Sequence, residues 1–436
     1  MPSTQLRQSP TRTPIRRPER VDLLGRPFDV ASRQVISQLQ DSVRAAIDAL
    51  PGPQILHATD LARTARIDNK LAWKMHSLAQ LRDPFEAGQF VPGRHGVKLF
   101  LEGCRRAGVK ASSCDRVDRH LDAFMGLIKV HAGNRRAFDM LLAGQSSTDS
   151  VRRELAHRKT AFEAQSYLYG VMTRLHLQTY ILLPTHDEDR LDLIDLHANV
   201  DLQRFRPDVP WRISRMFRVN EEEGRMEEGT GQPIDPDHPA DPTLPGLPLI
   251  PKFCSQPLPV CERLTSAGGD VVYQLKAGPV GRTSTNTCVT GEYMPLQHAK
   301  TVSGNQGKTK FFVATRLRTP CEAMALDLVL PTAWVTPRFS PQPLLYSDLF
   351  GKENADRFEC DRLPLTETVE RLALTDEAVA FDTMPRYREM LEFAIQPHGL
   401  SLDDLTIFRL HIPYPTIPSN AYLQYDLRDL DCSLHP

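Results

Sequence analysis

The spacing of apolar residues changes near residue 170 of this 436-residue chain, and the change separates two kinds of secondary structure. From about 33 to 170, apolar residues recur every three or four positions, a spacing typical of helices with one buried face. After 171, short runs rich in β-branched and aromatic residues predict strands, and short turns between most of them favour antiparallel pairing. The predicted fold is therefore α+β: an all-helical N-terminal module followed by a mixed, mostly antiparallel α+β C-terminal domain.

The same patterns predict individual elements and domains. Helices are predicted at 35–50, 97–107, 113–131, 133–143, 149–170 and 385–396, and strands at 175–183, 211–219, 271–275, 311–317, 325–330 and 406–412. The chain is too long for one ordinary core. We expect a disordered basic arm at 1–30, a helical domain at 31–170 and a sensing or assembly domain at 171–436.

Charge is distributed unevenly although the net charge is only −1. Residues 55–160 contain 19 Lys and Arg against 11 Asp and Glu, whereas residues 186–245 contain 15 acids against 7 bases. A basic module followed by an acidic segment is expected when one part of a chain meets a polyanion. Ordinary fluctuation of charge along a chain is the alternative explanation.

Composition and cysteine spacing favour a reduced, non-membrane environment. No apolar run approaches the roughly 20 residues that span a bilayer, and no hydrophobic leader of signal-peptide type is visible, so we expect a cytoplasmic protein without a membrane partner. The eight Cys include no Cys-x-x-Cys pair and no zinc-ligand pattern. They are expected to be buried, reduced thiols, and no metal or other cofactor is predicted.

Residues 58–78 predict two short helices joined by a tight turn. Thr59 is expected to cap a first helix starting at Asp60, and Asp68 to cap a second helix. Apolar or small residues recur on one face of each helix, and Ile67 occupies the turn between them. Two core helices of an ordinary bundle are the alternative explanation of this pattern.

This stretch resembles the helix-turn-helix of bacterial transcription regulators, over about 21 of the 436 residues. Its five characteristic apolar or small positions are occupied by Leu61, Ala62, Ile67, Ala72 and Met75. The pattern departs from the family at Arg66, where a Gly usually takes the left-handed conformation of the turn. A non-Gly residue there costs roughly 1 kcal/mol.

The resemblance implies that outward residues of the second helix contact duplex DNA. Asn69 suits a paired hydrogen bond to adenine, and Lys70 and Lys74 suit guanine edges or phosphate. Trp73 has two possible roles: contact with sugar or a thymine methyl, and partial burial against a neighbouring helix, which we favour.

Further cations lie before and after this helix. Arg63 and Arg66, on or after the first helix, are expected at phosphates, or else on a solvated face. Pro92 to Lys98 precedes the helix predicted at 97–107, so Arg94, Lys98 and free backbone amides would converge on one anion, a DNA phosphate in a regulator. The alternative is that the glycines of this loop only shape a turn.

Prolines stand at every third residue from 233 to 251 within a proline-rich segment at 233–259. A polyproline II helix has three residues per turn, so these rings would line one edge of a semi-rigid spacer. The functional prediction is a spacer or a docking strip for a protein partner. A surface loop with chance spacing is the alternative.

Two stretches suggest an enzyme only weakly. Residues 303–309 lack the first Gly of a P-loop and precede a predicted strand, so a hairpin turn is expected. His186, Asp187, Glu188 and Asp189, with Asp192, Asp195 and His197, offer carboxylates and imidazoles for a metal or for acid–base chemistry, but an exposed acidic turn is favoured. No catalytic residue is predicted.

The sequence therefore predicts a DNA-binding transcriptional regulator. One short recognition helix rarely binds tightly enough alone, so a homodimer is expected. A non-catalytic interaction or scaffold protein with a proline-rich spacer is the alternative, and a metal-dependent enzyme in the C-terminal half is a third hypothesis.

Overall fold

The computed structural model describes residues 25–145, 150–216, 218–220, 225–227, 231–235, 247–265, 271–348, 359–373 and 379–433. The described residues form two compact units that divide between Arg153 and Glu154. Most of the predicted basic arm, residues 1–24, and the central prolines at 236, 239, 242 and 245 lie outside the described residues.

The first unit is helical. Its helices are α1 (Phe28–Asp48), α2 (Ala58–Ala65), α3 (Asn69–Gln80), α4 (Pro84–Phe90), α5 (Arg94–Arg106), α6 (Ala111–His131) and α7 (Arg135–Ala143), followed by α8 (Ser150–Tyr169), which spans the division between the units. One hydrophobic core joins α1 to α7, and each helix contributes its apolar stripe to it. Ile36, Met75, Phe100 and Phe124 are fully buried there.

A close approach between α5 and the end of α2 fixes these helices together. At Gly103 of α5, a Cβ atom would lie 2.4 Å from the carbonyl oxygen of Ala65 and 3.2 Å from the Ile67 side chain. Only a residue without a side chain allows the two backbones to come this near. Gly103 therefore determines how α5 packs against the turn between α2 and α3.

The second unit is rich in strands. They are β1 (Val171–Leu183), β2 (Arg190–Arg204), β3 (Trp211–Met216), β4 (Arg218–Asn220), β5 (Arg225–Glu227), β6 (Gln232–Pro233), β7 (Cys261–Thr265), β8 (Val271–Leu275), β9 (Asn286–Ala299), β10 (Lys310–Leu317), β11 (Cys321–Pro331), β12 (Gln342–Ser347), β13 (Val369–Ala373), β14 (Leu405–Pro413) and β15 (Ser419–Asp426), with α9 (Tyr387–Ile395) before β14.

The main sheet of the described strands has the order β13-β14-β11-β1-β2-β9-β6. Its pairs are antiparallel apart from β1 and β11, which run parallel with Leu177 opposite Ala325. Smaller described sheets have the orders β10-β15-β12, β3-β8-β7 and β4-β5. Antiparallel pairing thus dominates the unit.

Both faces of the main sheet are covered. Leu177 of β1 and Ile407 of β14 point to one face, where α9 packs with the fully buried Tyr387 and Met390. The alternate residues of the same strands point to the other face, where the β10-β15-β12 sheet supplies residues such as Leu423. The central strands are therefore buried on both sides, and β11 and the last three residues of β1 are correspondingly apolar.

A buried ion pair lies on the α9 face. The guanidinium of Arg409 donates to Asp327 at 2.7 Å, with side chains that are 5% and 0% exposed. Tyr387 of α9 donates its hydroxyl to the same carboxylate at 2.7 Å, and the Phe381 ring lies 4.0 Å from the guanidinium carbon. The charges are thus paired and hydrogen-bonded, as buried charges must be.

The α+β fold class predicted from the sequence is confirmed, with helices first and a mostly antiparallel sheet unit after them. α8 ends at Tyr169 and β1 begins at Val171, so the change in spacing near 170 marks the change in structure. α1 begins at Phe28, inside the segment predicted as an arm. Among the described residues, none of the helices combines the length and the hydrophobicity of a membrane span.

Gly103→Ala should destabilise the helical unit by about 1–3 kcal/mol, because the new methyl group meets the Ala65 carbonyl. Intrinsic helix propensity alone would make the variant more stable by about 1 kcal/mol. A decrease in the free energy of unfolding would therefore be due to packing. Urea denaturation measures it. Gly144→Ala is the matched control, since its nearest neighbour would lie at 3.6 Å; equal effects of the two changes would contradict the prediction.

Candidate nucleic-acid interface

α2 and α3 are joined by a turn that has a left-handed residue at its first position. Arg66 has φ 52° and ψ 55°, the conformation in which the sequence pattern normally has Gly. The backbone N–H of Ile67 then donates to the Ala62 carbonyl at 3.1 Å, which closes the end of α2. Three residues, 66 to 68, therefore join the two helices.

The caps of the two helices differ. Asp68 accepts hydrogen bonds from the backbone N–H groups of Lys70 at 2.8 Å and Leu71 at 3.3 Å, so it caps α3 as predicted. The expected cap of α2 is wrong, because α2 begins at Ala58 and places Thr59 within its first turn. His57 stands at the N-cap and its side chain makes no capping hydrogen bond among the described residues.

Side chains of α1 hold the C-terminal end of α3. The Gln40 amide donates to the carbonyls of Leu78 at 3.0 Å and Leu81 at 2.9 Å, and the Arg44 guanidinium donates to the Ala79 carbonyl at 2.6 Å. These carbonyls belong to the last turn of α3 and to its C-cap residue, where no helical N–H can reach them. α3 is thus fixed at both ends.

The outward face of α3 carries cations and no acid. Asn69, Lys70 and Trp73 are exposed, and Lys74 is half-buried. The helix contains no Asp or Glu at any of its 12 positions. This face therefore has a positive formal charge and offers hydrogen-bond donors.

Trp73 is partly buried against a neighbouring helix, which is the role favoured from the sequence. It is 51% exposed, and its ring packs edge-on against Phe90 of α4 with 5.1 Å between centroids and 80° between planes. Phe90 in turn packs against the core of the helical unit. The indole is therefore held in place on one side and open to solvent on the other.

Three arginines lie near the turn. The Arg63 side chain is 80% exposed and contacts Asp60 at 3.5 Å, an exposed pair worth little energy. Arg66 is exposed, and its carbonyl accepts a hydrogen bond from Arg106 of α5 at 3.4 Å. Sequence reasoning missed Arg106, because only the packing of α5 at Gly103 brings it to the turn.

The basic stretch from Pro92 to Lys98 differs from its predicted form. α5 begins at Arg94 instead of 97, with Gly93 at the N-cap. The Arg94 guanidinium donates to Asp122 of α6 at 2.6 Å, so a carboxylate occupies the place expected for an anion. Lys98 is exposed, and Gly96 beside it approaches Leu71 of α3. The start of α5 therefore lies next to α3.

The acidic stretch at 186–197 lies partly in a turn and partly in β2. Residues 186–189 lie in the turn between β1 and β2, as expected. There the Asp187 carboxylate accepts from the backbone N–H groups of Asp189 at 2.8 Å and Arg190 at 2.7 Å. In β2, Asp192 accepts from the Tyr293 hydroxyl at 2.6 Å. These carboxylates organise the turn and the strand that follows it.

Asp195 and His197 do not belong to an exposed turn, which corrects that part of the prediction. They lie in β2 on the face away from α9, beside His176 of β1 and opposite β9. The rings of His176 and His197 are 4.9 Å apart, and burial lowers the pKa of these imidazoles to about 4 and about 3. The histidines are therefore neutral at physiological pH.

Two carboxyl groups face each other in the same cluster. Asp195 is directly opposite Glu292 of β9 in the strand register. Burial raises the pKa of both carboxyls to about 7, and the charge of Glu292 contributes to the increase at Asp195. The Oε1 atom of Glu292 is buried without a hydrogen-bond partner among the described residues. An ionised Glu292 is therefore costly in this position.

Neither enzyme-like stretch forms a recognisable site. No group of three His, Cys, Asp or Glu in the described ranges has the arrangement needed to hold a metal ion. Residues 300–309 form the loop between β9 and β10, which belong to different sheets, so it is not the hairpin turn that was predicted. Gly304 of this loop packs against the Asp189 carbonyl, where a Cβ would lie at 2.3 Å.

No protein-family model matches the chain, and no curated protein matches it.

Arg66→Gly should stabilise the helical unit by about 0.5–1 kcal/mol, because Gly adopts positive φ without steric cost. Arg63→Gly, the same substitution three residues earlier inside α2, should destabilise it by about 1 kcal/mol. Urea denaturation of both variants tests this contrast. Destabilisation by both would show that Arg66 stabilises the turn through its side chain.

Glu292→Gln should stabilise the protein increasingly as pH rises from about 4.5 to about 7. The unfolded carboxyl releases its proton near 4.5, whereas the folded one keeps it to about 7, so the wild type loses stability across this window. The gain should level off above pH 7, on the order of 1–3 kcal/mol. Thermal melting across pH measures it.

The control for this experiment is Glu188→Gln, which changes an exposed carboxylate in the turn before β2. It should change stability by much less at every pH. A difference between Glu292→Gln and wild type that does not vary with pH would contradict the assigned cause.

Proposed function

We propose that the helical unit binds duplex DNA with α3 in the major groove, and that the chain is a DNA-binding transcriptional regulator. The observation that carries this proposal is the outward face of α3, where Asn69, Lys70 and Trp73 are exposed on a helix without acids. A helix with its side chains is about 10–12 Å across, and the major groove is about 12 Å wide.

The anchoring of α3 supports the same proposal. A helix that is already fixed in the free protein loses less conformational entropy on binding than a mobile helix does. Its side chains also start close to the positions in which they can distinguish one base from another. The Asp68 cap and the hydrogen bonds from Gln40 and Arg44 fix α3 in this way. Asn69 then supplies a donor and acceptor pair for adenine, and Lys70 supplies donors for guanine or phosphate.

Cations around α3 supply the contacts that do not depend on sequence. Arg63, Arg66 and Arg106 lie at the turn before α3, and Lys98 lies on α5, whose first turn neighbours α3. Lys74 of α3 itself adds a further charge. Arg94 contributes after exchanging Asp122 for a phosphate, an exchange made easy by the exposure of the pair. We further propose a cytoplasmic homodimer, because two helices on two half-sites double the contacts.

A protein-interaction role is the second candidate. Tyr167 and Leu168, at the end of α8, are 78% and 70% exposed. Phe205 is 44% exposed nearby, since its backbone N–H donates to the Gly170 carbonyl at 2.9 Å. Exposed apolar patches of this kind are typical of protein-binding surfaces. This candidate predicts a defined protein complex and no affinity for DNA.

The double variant Lys70→Ala/Lys74→Ala should bind duplex DNA about tenfold or more weakly at low salt. The magnitude of the slope of log affinity against log salt concentration should fall by about two. Each lysine that contacts a phosphate displaces about one counterion from the DNA, so the variant displaces about two fewer on binding. Gel-shift titrations at several salt concentrations measure both quantities.

The matched control is Lys129→Ala/Arg136→Ala, which removes two exposed cations from α6 and α7. It should change the affinity little, because these residues lie outside the α2–α3 surface. Equal affinity of the Lys70/Lys74 variant and wild type, with both folded by circular dichroism, would refute the proposed function.

A further inference from the structure

Trp73 stands out among the tryptophans of the chain because it is half-exposed. Trp334 is 1% exposed, and Trp211 donates its indole N–H to Thr319 at 2.8 Å. Trp73 is 51% exposed, and its indole makes no hydrogen bond to another described residue. Exposed apolar surface of this size is unfavourable in water, whereas Trp is among the residues that contribute most at binding interfaces.

The orientation of Trp73 is determined by Phe90. The rings meet edge to face at 5.1 Å, a favourable geometry for two aromatic rings. Phe90 is the last residue of α4, and the backbone around it is fixed. The Arg135 guanidinium donates to the carbonyls of Gly88 and Gln89 at 3.1 Å and of Val91 at 2.8 Å. Phe90 is thus a firm support for the indole.

Trp73 also lies on the same helical face as the polar residues expected at the bases. It follows Asn69 by four residues and Lys70 by three, the spacings that place side chains side by side on a helix. A helix that brings Asn69 and Lys70 to base edges therefore brings Trp73 to the same groove. In the major groove, the apolar group presented by the bases is the 5-methyl group of thymine.

We infer that Trp73 contacts a thymine methyl group and that Phe90 is the residue that positions it, so that this aromatic pair selects A·T base pairs in duplex DNA. The inference rests on the proposed function and adds to it a specificity-determining contact. Phe90 itself does not touch the DNA. Its role is to keep the indole from rotating away from the groove.

The test compares two alternating duplexes, poly(dA-dT) and poly(dA-dU), which differ only in the thymine methyl group. Wild-type protein should bind the thymine duplex about three- to fivefold more tightly, the effect of burying one methyl group. Trp73→Ala should bind both duplexes equally. Met140→Ala is the control, because it truncates an exposed apolar residue on a different helix, α7. It should keep the wild-type ratio of the affinities for the two duplexes.

Two variants of Phe90 separate a positioning role from simple packing. Phe90→Tyr keeps the ring and should keep the preference for thymine. Phe90→Leu keeps an apolar side chain but removes the edge-to-face interaction, and it should reduce the preference to near one while the protein stays folded by circular dichroism. A full preference in Phe90→Leu would overturn the role assigned to Phe90.

The remaining outcomes distinguish this inference from the proposed function. Binding of wild type to both duplexes with equal affinity would overturn the thymine contact and leave DNA binding intact. An equal loss of affinity for both duplexes in Trp73→Ala, with the wild-type ratio preserved, would indicate a backbone contact by the indole and would also overturn it. Absence of binding to either duplex would refute the proposed function itself.

Discussion

The surface offered by the helical unit depends on the hydrogen bonds that hold the two ends of α3. A 12-residue helix is marginal in water without tertiary support. Here the Asp68 carboxylate satisfies N–H groups at one end, and Gln40 and Arg44 satisfy carbonyls at the other. Because Gln40 and Arg44 belong to α1, which packs through the common core, the direction of α3 is set by the whole unit.

The buried carboxylates of the second unit lie in two kinds of environment. Asp327 on the α9 face is matched by the Arg409 guanidinium and the Tyr387 hydroxyl, so its charge is compensated within the protein. Asp195 and Glu292 on the other face lie opposite each other, Oε1 of Glu292 has no hydrogen-bond partner among the described residues, and burial raises the pKa of both carboxyls. The first arrangement is compatible with stability at any physiological pH, whereas the second makes stability depend on pH.

Features that depend on a few neighbouring residues were predictable from the sequence. The Asp68 cap and the limits of β8 follow from local patterns. The helix α4 was missed because it has only seven residues, although Asp83 before Pro84 is a start signal. The acids of β2 are typical of a turn when considered alone, while the alternating apolar residues from Leu191 onward indicate a strand. The ring contact of His176 with His197 and the hydrogen bond from Arg106 to the Arg66 carbonyl arise from tertiary packing. Spacing along the chain does not encode such contacts.

The parallel pairing of β1 with β11 has a consequence for the order in which the chain becomes structured. β1 acquires β2 from the residues directly after it, but its other neighbour is synthesised about 150 residues later. During translation, the helical unit has all its partners before β1 emerges, while one edge of β1 stays open until β11 arrives. An unpaired strand edge presents free backbone N–H and C=O groups, so this edge of β1 is open to pairing with another chain until β11 covers it.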